Sequence, residues 1–430
     1  MLRTLQNSLK SIFNFDGKTK FNVALDICFL FFFFATVVTI PIFSFRTQFT
    51  IITWGLTIIT FVVITLEMIL FYKIKIDIIV ASLILFLFSG LLSSAINGFK
   101  SFVLTPLLLN LVVIIIYVYL KGNPTIIKPT IYTIYIALSV FVMVYLVMYR
   151  KDVFSFNRER LGDAFGDQND ISLFLSLCFL FSAFFVLNSK LISKIFAALI
   201  GAFSFLCGAS TGSKVFIITA VISLLVAIIV SFGKKRWYLS IIVIAALIIL
   251  AAILFSLPFM ANLKNRMLTF INSFFDIGYR STSGVDSSSF DRYHLFRASF
   301  ELFLTKPLLG YGVNGFQNAN GFFNGWSHNN IGEFLSDFGL IGTILFNAPI
   351  IFSVICFYDK RTKNETIPSR LAFLIIVFFV CAMLSVAYTR EKIYSYIIPV
   401  AFATLFNEKC FFEFSIKGKT MCFLTAKKGA

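Results

Sequence analysis

The sequence predicts an all-α polytopic membrane protein of about 12 transmembrane helices. Of its 430 residues, 59% are hydrophobic and 13% are charged, whereas a soluble domain carries about 25% charged residues. The apolar residues form unbroken runs long enough for a helix to cross the hydrocarbon core. No alternating pattern of the kind that builds a barrel is present. We therefore expect a single integral membrane domain over residues 1–430.

The predicted spans are separated by short polar or basic segments. They cover about 21–45, 49–72, 77–97, 101–120, 130–149, 170–188, 191–209, 213–232, 238–258, 333–357, 371–389 and 393–407. With the N-terminus in the cytoplasm, most of the 37 basic residues fall on inner segments, which is the asymmetry of the positive-inside rule. Both termini are then cytoplasmic. The net charge of +17 reflects this topology, and nucleic acid is not an expected partner.

Two longer loops on the outer side hold most of the remaining polar residues. The first covers 150–169 and includes Arg160, and the second covers 259–332 and contains both histidines of the chain, His294 and His328. Long loops in a compact protein are usually functional or disordered. Because the second loop is rich in aromatic residues and glycine, we expect it to be ordered and to carry the chemistry.

The second loop is expected to contain a short helix. Ser288 and Asp291 fit a capping box, and Lys306-Pro307 ends the helical pattern. Aromatic residues recur at helical spacing, namely Phe290, Tyr293, Phe296, Phe300 and Phe303. The predicted helix has one apolar face, and its basic residues lie off that face. This arrangement predicts a helix that lies at the outer membrane surface.

Arg297 and Glu301 form an i,i+4 pair on this helix, and two interpretations stay open. The pair is either an ordinary solvated face or part of a substrate site. Arg292 lies off the stripe formed by the phenylalanines and is the stronger candidate for substrate contact. His294 is assigned to helix packing.

The segment Gly310-Tyr311-Gly312-Val313-Asn314-Gly315 formally reads G-x-G-x-x-G. It follows a helix, and no strand or βαβ unit surrounds it, so a dinucleotide site is excluded. A plain helix–loop bend is the favoured interpretation. The alternative is a phosphate cradle made of backbone N–H groups.

His328 is predicted to lie at the N-terminus of a helix that descends into the membrane. The helix dipole there disfavours the imidazolium form, so a neutral imidazole can accept a proton at pH 7. A structural histidine is the alternative. A metal site is not expected, because the seven cysteines avoid both long outer loops and show no CxxC or Cys/His spacing.

The outer face is basic and suits a substrate with an anionic head at the bilayer surface. Lys214, with Arg160, Arg292 and Arg297, is predicted to clamp a diphosphate. His328 is then the candidate base that deprotonates an attacking sugar hydroxyl, and Asn329 beside it is a candidate for substrate binding. An ion-coupled carrier is less favoured, because Asp26 and Glu67 lie near the cytoplasmic ends of their spans rather than at the midplane.

As a set, these segments resemble the O-antigen ligase and O-antigen polymerase superfamily of membrane glycosyltransferases. The resemblance rests on Arg292, on 307–312, on His328-Asn329 and on 339–342. The stretch from Arg160 to Asn169 is similar to a segment that those proteins carry before a mid-chain span. Thr211-Gly212-Ser213-Lys214 resembles their Thr-Gly-Ser-Arg turn, with lysine in place of arginine.

The resemblance implies a helical glycosyltransferase of the membrane-embedded C type, acting on undecaprenyl-diphosphate-linked glycans without a metal, a nucleotide sugar or another cofactor. It implies functional roles for Lys214, Arg292 and His328. The expected partners are a lipid-linked glycan donor, a glycan acceptor and membrane lipid, with a chain-length regulator as a further candidate. The expected location is a bacterial inner membrane, with the active site on the periplasmic face.

Three activities fit this description. A polymerase extends a lipid-linked glycan by repeat units and makes O-antigen or capsular polysaccharide, and it is the favoured interpretation. A ligase moves the finished glycan to lipid A core or another acceptor. A flippase or other carrier is the third candidate and requires titratable residues in a midplane cavity.

Overall fold

The computed structural model describes most of the predicted membrane domain. The described residues are 18–43, 47–72, 74–100, 103–155, 168–232, 238–243, 245, 249, 253, 287–319, 327, 329–363, 366–383, 392–406, 412–414 and 422–423. Arg160 and His328 lie outside these residues, as does most of the predicted span 238–258.

Apolar runs form helices along the whole described chain. The helices are α1 Lys20–Phe43, α2 Thr47–Phe71, α3 Ile78–Ile96, α4 Thr105–Gly122, α5 Ile127–Met148, α6 Arg150–Ser155, α7 Gln168–Asn188, α8 Leu191–Ser210, α9 Lys214–Phe232, α10 Ser287–Thr305, α11 Gly315–Ala319, α12 Asn330–Lys363, α13 Ile367–Ala382 and α14 Lys392–Phe406. A 3-10 turn, Pro124–Ile126, joins α4 to α5.

Nine helices within the described residues are long and apolar enough to cross a membrane, and α13 and α14 are shorter apolar helices. Large apolar side chains face outward along them, for example Ile51 and Leu191, which are 75% and 73% exposed. Apolar exposure on this scale is expected where lipid replaces water. The chain is thus an all-α polytopic membrane protein, as predicted.

A small antiparallel sheet also lies within the described residues, and it was not predicted from the sequence. Its three strands are β1 Ile74–Ile76, β2 Phe412–Phe414 and β3 Cys422–Phe423. Ile74 pairs with Phe414, and Phe412 pairs with Phe423. The sheet joins the turn between α2 and α3 to the C-terminal segment.

Helix α12 packs against α3 through an aromatic cluster. The rings of Phe86 and Phe338 lie 4.9 Å apart between centroids, and those of Phe334 and Phe346 lie 4.2 Å apart. All four side chains are buried. Burial of several aromatic rings fixes α12 firmly on α3.

Helix α12 is broken at Gly339, where φ is 62° and ψ is −166°. The break frees backbone groups that a continuous helix would pair internally. The carbonyl of Ser336 accepts from the N–H of Tyr311 at 2.9 Å, and that of Asp337 accepts from the N–H of Gly312 at 2.8 Å. The glycine-rich loop, residues 306–316, therefore supplies the missing donors.

The same loop also supplies acceptors on the other side of the break. The N–H of Leu340 donates to the carbonyl of Pro307 at 2.8 Å, and that of Ile341 donates to the carbonyl of Leu308 at 3.2 Å. Backbone groups at membrane depth must be satisfied within the protein. The loop and the broken helix thus form one structural unit.

Candidate functional site

Side-chain hydrogen bonds hold the first turn of α12, and they come from the residues on either side of position 328. Asn329 Oδ1 accepts from the N–H groups of Ile331 at 2.9 Å and Gly332 at 3.1 Å, as an N-cap does. Ser327 Oγ donates to the Asn329 carbonyl at 2.7 Å and lies 3.3 Å from Glu333 Oε2. Residues 327 and 329 are therefore fixed at the start of α12, and the side-chain oxygen of Asn329 has a capping role.

Helix α10 crosses this first turn of α12 in direct contact. A Cβ added to Gly332 would lie 2.3 Å from Ser299 Oγ, so the Ser299 side chain packs directly on the α12 backbone, where only glycine leaves room for it. Phe296, Phe300 and Leu304 are 41%, 45% and 62% exposed and form a stripe on the outward side of α10. An exposed apolar stripe fits a helix that rests on the membrane surface.

Arg297 forms an exposed ion pair with Glu301 on α10. Arg297 Nε lies 2.8 Å from Glu301 Oε1, and the two side chains are 65% and 61% exposed. This geometry favours the solvated-face interpretation of the pair. His294 is also exposed on α10, and the helix-packing role expected for it stays a prediction.

We expect Arg297→Ala to leave glycan products close to wild type. An exposed i,i+4 pair contributes about 0.3–0.5 kcal/mol to stability, and Arg297 already has Glu301 as its partner. The measurement is the amount and length of polymer in cells that carry the variant, with Glu301→Ala as the matched control. Loss of polymer in Arg297→Ala alone would show that the predicted diphosphate clamp requires Arg297.

The N–H groups of the glycine-rich loop are used within the protein. Val313 N–H donates to Ser94 Oγ at 3.0 Å. Asn314 and Phe316 N–H groups donate to the carboxylate of the buried Asp337, at 3.0 and 2.6 Å. Together with the donors paired at the break in α12, these contacts favour the helix–loop bend over the phosphate cradle.

The turn between α8 and α9 is built from small polar side chains. Ser213 Oγ donates to Asn169 Oδ1 at 2.9 Å and lies 3.1 Å from Ser172 Oγ. The N–H of Ser213 donates to Thr211 Oγ1 at 3.2 Å. These contacts anchor the turn to the first residues of α7 and start α9 at Lys214.

The predicted site residues thus fall into three groups. The backbones of Lys214 and Arg292 are placed, at the start of α9 and on α10. Asn329 and Arg297 have the contacts given above. For Arg160 and His328, which lie outside the described residues, the predictions stand as predictions.

The residues that hold these segments in place were not predicted from the sequence to have a role. Asp337 accepts two loop N–H groups, and Asn169 with Ser172 anchors the turn before α9. The sequence did contain one indication that Asp337 has a specific partner. Asp337 is an acidic residue inside an apolar span, where an unpaired charge is costly.

These features define the class as a multi-pass helical membrane protein with two polar assemblies, the turn before α9 and the junction of α10, the glycine-rich loop and α12. Residues 196–347 match the family model described as O-antigen ligase. The match confirms the resemblance to the O-antigen ligase and polymerase superfamily and supports a glycan-transferring function of ligase or polymerase type. No curated protein matches the chain.

Proposed function

We propose that the protein polymerises oligosaccharide repeat units carried on undecaprenyl diphosphate, by inverting and metal-independent glycosyl transfer. The observation that best supports this proposal is that the family model matches residues 196–347, which include the turn before α9 and the junction of α10 with the start of α12. The turn before α9 and the junction of α10 with α12 are the segments to which the proposal assigns diphosphate binding and base catalysis. The proposed location is the periplasmic side of a bacterial inner membrane, with both termini in the cytoplasm.

In the proposed reaction, His328 removes the proton from a hydroxyl of the acceptor sugar. The hydroxyl oxygen attacks the anomeric carbon of the donor and forms the new glycosidic bond. The bond between that carbon and the diphosphate oxygen breaks, and undecaprenyl diphosphate leaves with the electron pair. Attack opposite the leaving group inverts the anomeric configuration. The capped start of α12 supports this role, since Ser327 and Asn329 are fixed on either side of the base.

The leaving diphosphate gains negative charge during this step and requires cationic partners. We assign this task to Lys214, Arg292 and Arg160, with Arg297 as the weakest member because of its pairing with Glu301. The start of α9 adds the positive end of a helix dipole beside Lys214, which favours an anion. Asn329 is assigned to the acceptor side through its amide nitrogen.

Lys214 provides a test of the diphosphate clamp. We expect Lys214→Arg to keep activity, because arginine also binds phosphate and the resembling family carries arginine at this turn. Lys214→Ala should reduce polymer strongly, since a charge-assisted contact to the leaving group is lost. Polymer gels and immunoblots of membrane fractions measure activity and abundance. Equal polymer in Lys214→Ala and wild type would remove Lys214 from the clamp.

A glycan gel of a deletion strain tests the function itself. If wild-type protein restores a ladder of repeat units and the deletion leaves single repeats on the lipid A core, the polymerase proposal holds. A chain-length regulator is a proposed partner, and its removal should then change the ladder's distribution without abolishing it.

The family description favours one other activity, that of a ligase. A ligase shares the donor and differs in the acceptor, so its deletion accumulates full-length polymer still attached to undecaprenyl diphosphate. That outcome would replace the polymerase proposal. Repeat units stranded on the cytoplasmic side would instead identify a flippase.

A further inference from the structure

A buried cluster of charged side chains lies at the end of the helix bundle away from the candidate site. Helix α3 links the two ends. Ser94, in the last turns of α3, contacts the glycine-rich loop. Asp77, just before the first residue of α3, pairs with Lys121, which lies between two residues of the cluster in sequence. With 19 residues, α3 separates these ends by about 28 Å. The cluster therefore takes no direct part in the proposed glycosyl transfer.

We name this group the Lys18 cluster. It consists of Lys18, Asp26, Glu67, Tyr119 and Asn123, which come from the segments at the ends of α1, α2 and α4. Asp26, Glu67 and Tyr119 are fully buried, Asn123 is nearly so, and the Lys18 side chain is 10% exposed. A buried cluster of this kind is stable only when its charges are balanced.

Asp26 has the contacts of an ionised carboxylate. Its Oδ2 lies 2.6 Å from Lys18 Nζ, and its Oδ1 accepts from Asn123 Nδ2 at 2.7 Å. Lys18 Nζ also donates to Asn123 Oδ1 at 3.0 Å and lies 5.8 Å from the centre of the Tyr72 ring. The ammonium of Lys18 is thus directed at Asp26.

Glu67, in contrast to Asp26, accepts hydrogen bonds from uncharged donors. Its Oε2 accepts from Tyr119 OH at 2.8 Å, and its Oε1 lies 3.2 Å from Asn123 Nδ2. The two carboxyl groups share these donors, since Asn123 Nδ2 also lies 2.7 Å from Asp26 Oδ1 and Tyr119 OH lies 3.5 Å from the same oxygen. Two carboxyl groups that share one site cannot both ionise without a large cost.

The charge balance of the cluster also favours one protonated carboxyl group. The neighbouring Lys121 is paired with Asp77, in a contact that Tyr117 also joins. Among the described residues of the cluster, Lys18 is then the cation, and it contacts Asp26, whereas the donors to Glu67 are neutral. With both ionised, the cluster would hold a buried net negative charge, which is costly in a low-dielectric interior.

We propose that Glu67 binds a proton in the folded protein, so that the Lys18 cluster is electrically neutral. Protonated Glu67 donates its hydrogen to Asp26 and accepts from Tyr119, and Asp26 remains the counterion of Lys18. This arrangement ties α1, α2 and the turn after α4 into one closed unit. The proposal is independent of which glycan reaction the protein performs.

Four proteins test the proposal: wild type, Glu67→Gln, Asp26→Asn and the double variant. Glutamine is the neutral isostere of a protonated glutamate, so Glu67→Gln should keep Tm within about 2 °C of wild type in detergent. In Asp26→Asn, Glu67 should lose its proton and become the counterion of Lys18, with a moderate fall in Tm. The double variant leaves Lys18 without an anion, so its Tm should fall by more than the sum of the two single changes.

Infrared spectroscopy detects the protonated carboxyl group directly. Wild type should show the C=O stretch of a buried protonated carboxylic acid, and both single variants should lose it. Failure of Glu67→Gln to fold, or a band that survives in it, would overturn the proposal. A rise of wild-type Tm in NaCl over choline chloride at equal ionic strength would also overturn it, because it would indicate a metal cation in place of the proton.

Discussion

We expect cells with the His328→Ala protein to make no polymer while the protein reaches wild-type abundance in the membrane. Removing a general base typically lowers the rate about 10²–10⁴-fold. The proposed mechanism gives no other group within the family-matched segment the task of deprotonating the acceptor hydroxyl. Glycan gels measure the polymer, and immunoblots of membrane fractions measure abundance. Arg292→Ala should give the same result through loss of charge stabilisation at the leaving diphosphate.

His294→Ala is the matched control for this experiment. It removes the other histidine of the chain, and His294 is exposed on α10. We therefore expect near wild-type polymer. Wild-type polymer in His328→Ala would exclude the base role, and loss of polymer in His294→Ala alone would transfer that role to α10.

The architecture was predictable because transmembrane helices are specified by local composition. Each predicted span within the described residues corresponds to a helix, since a helix satisfies all its backbone hydrogen bonds within one apolar run in lipid. The sheet was not predictable in this way. Its strands are two or three residues long, and β1 pairs with a segment from the far end of the chain.

The sequence suggested a chemistry for the candidate site but not how the site is built. Basic residues and histidine on the predicted outer loops suggested a reaction type, because the chemistry of a side chain can be stated from the residue alone, and that assignment stays a prediction. The anchoring contacts, such as Ser213 to Asn169 and Asp337 to the loop N–H groups, join segments far apart in sequence. For Arg297, the sequence left open whether the charge faces substrate or solvent, and the structure adds that its guanidinium pairs with Glu301 on the same helix.

Gly339→Ala should destabilise the protein and abolish activity without altering any residue of the proposed mechanism. With φ of 62° and ψ of −166°, Gly339 occupies a region that is essentially restricted to glycine, and a non-glycine residue there costs about 1–3 kcal/mol. An added Cβ would also lie 2.4 Å from the backbone of Leu308, which is too close for the glycine-rich loop to stay docked. A lower Tm in detergent and loss of polymer are the expected results.

Gly55→Ala in α2 is the matched control for this change. Nothing lies within 4 Å of a Cβ at Gly55, and alanine is the better helix former by about 0.5–1 kcal/mol. We expect an unchanged or slightly higher Tm and normal polymer. If Gly339→Ala kept the wild-type Tm and polymer, the helix would run straight through position 339. The loop N–H groups that now pair with Ser336 and Asp337 would then be left without these acceptors, and the phosphate-cradle interpretation of the glycine-rich loop would have to be taken up again.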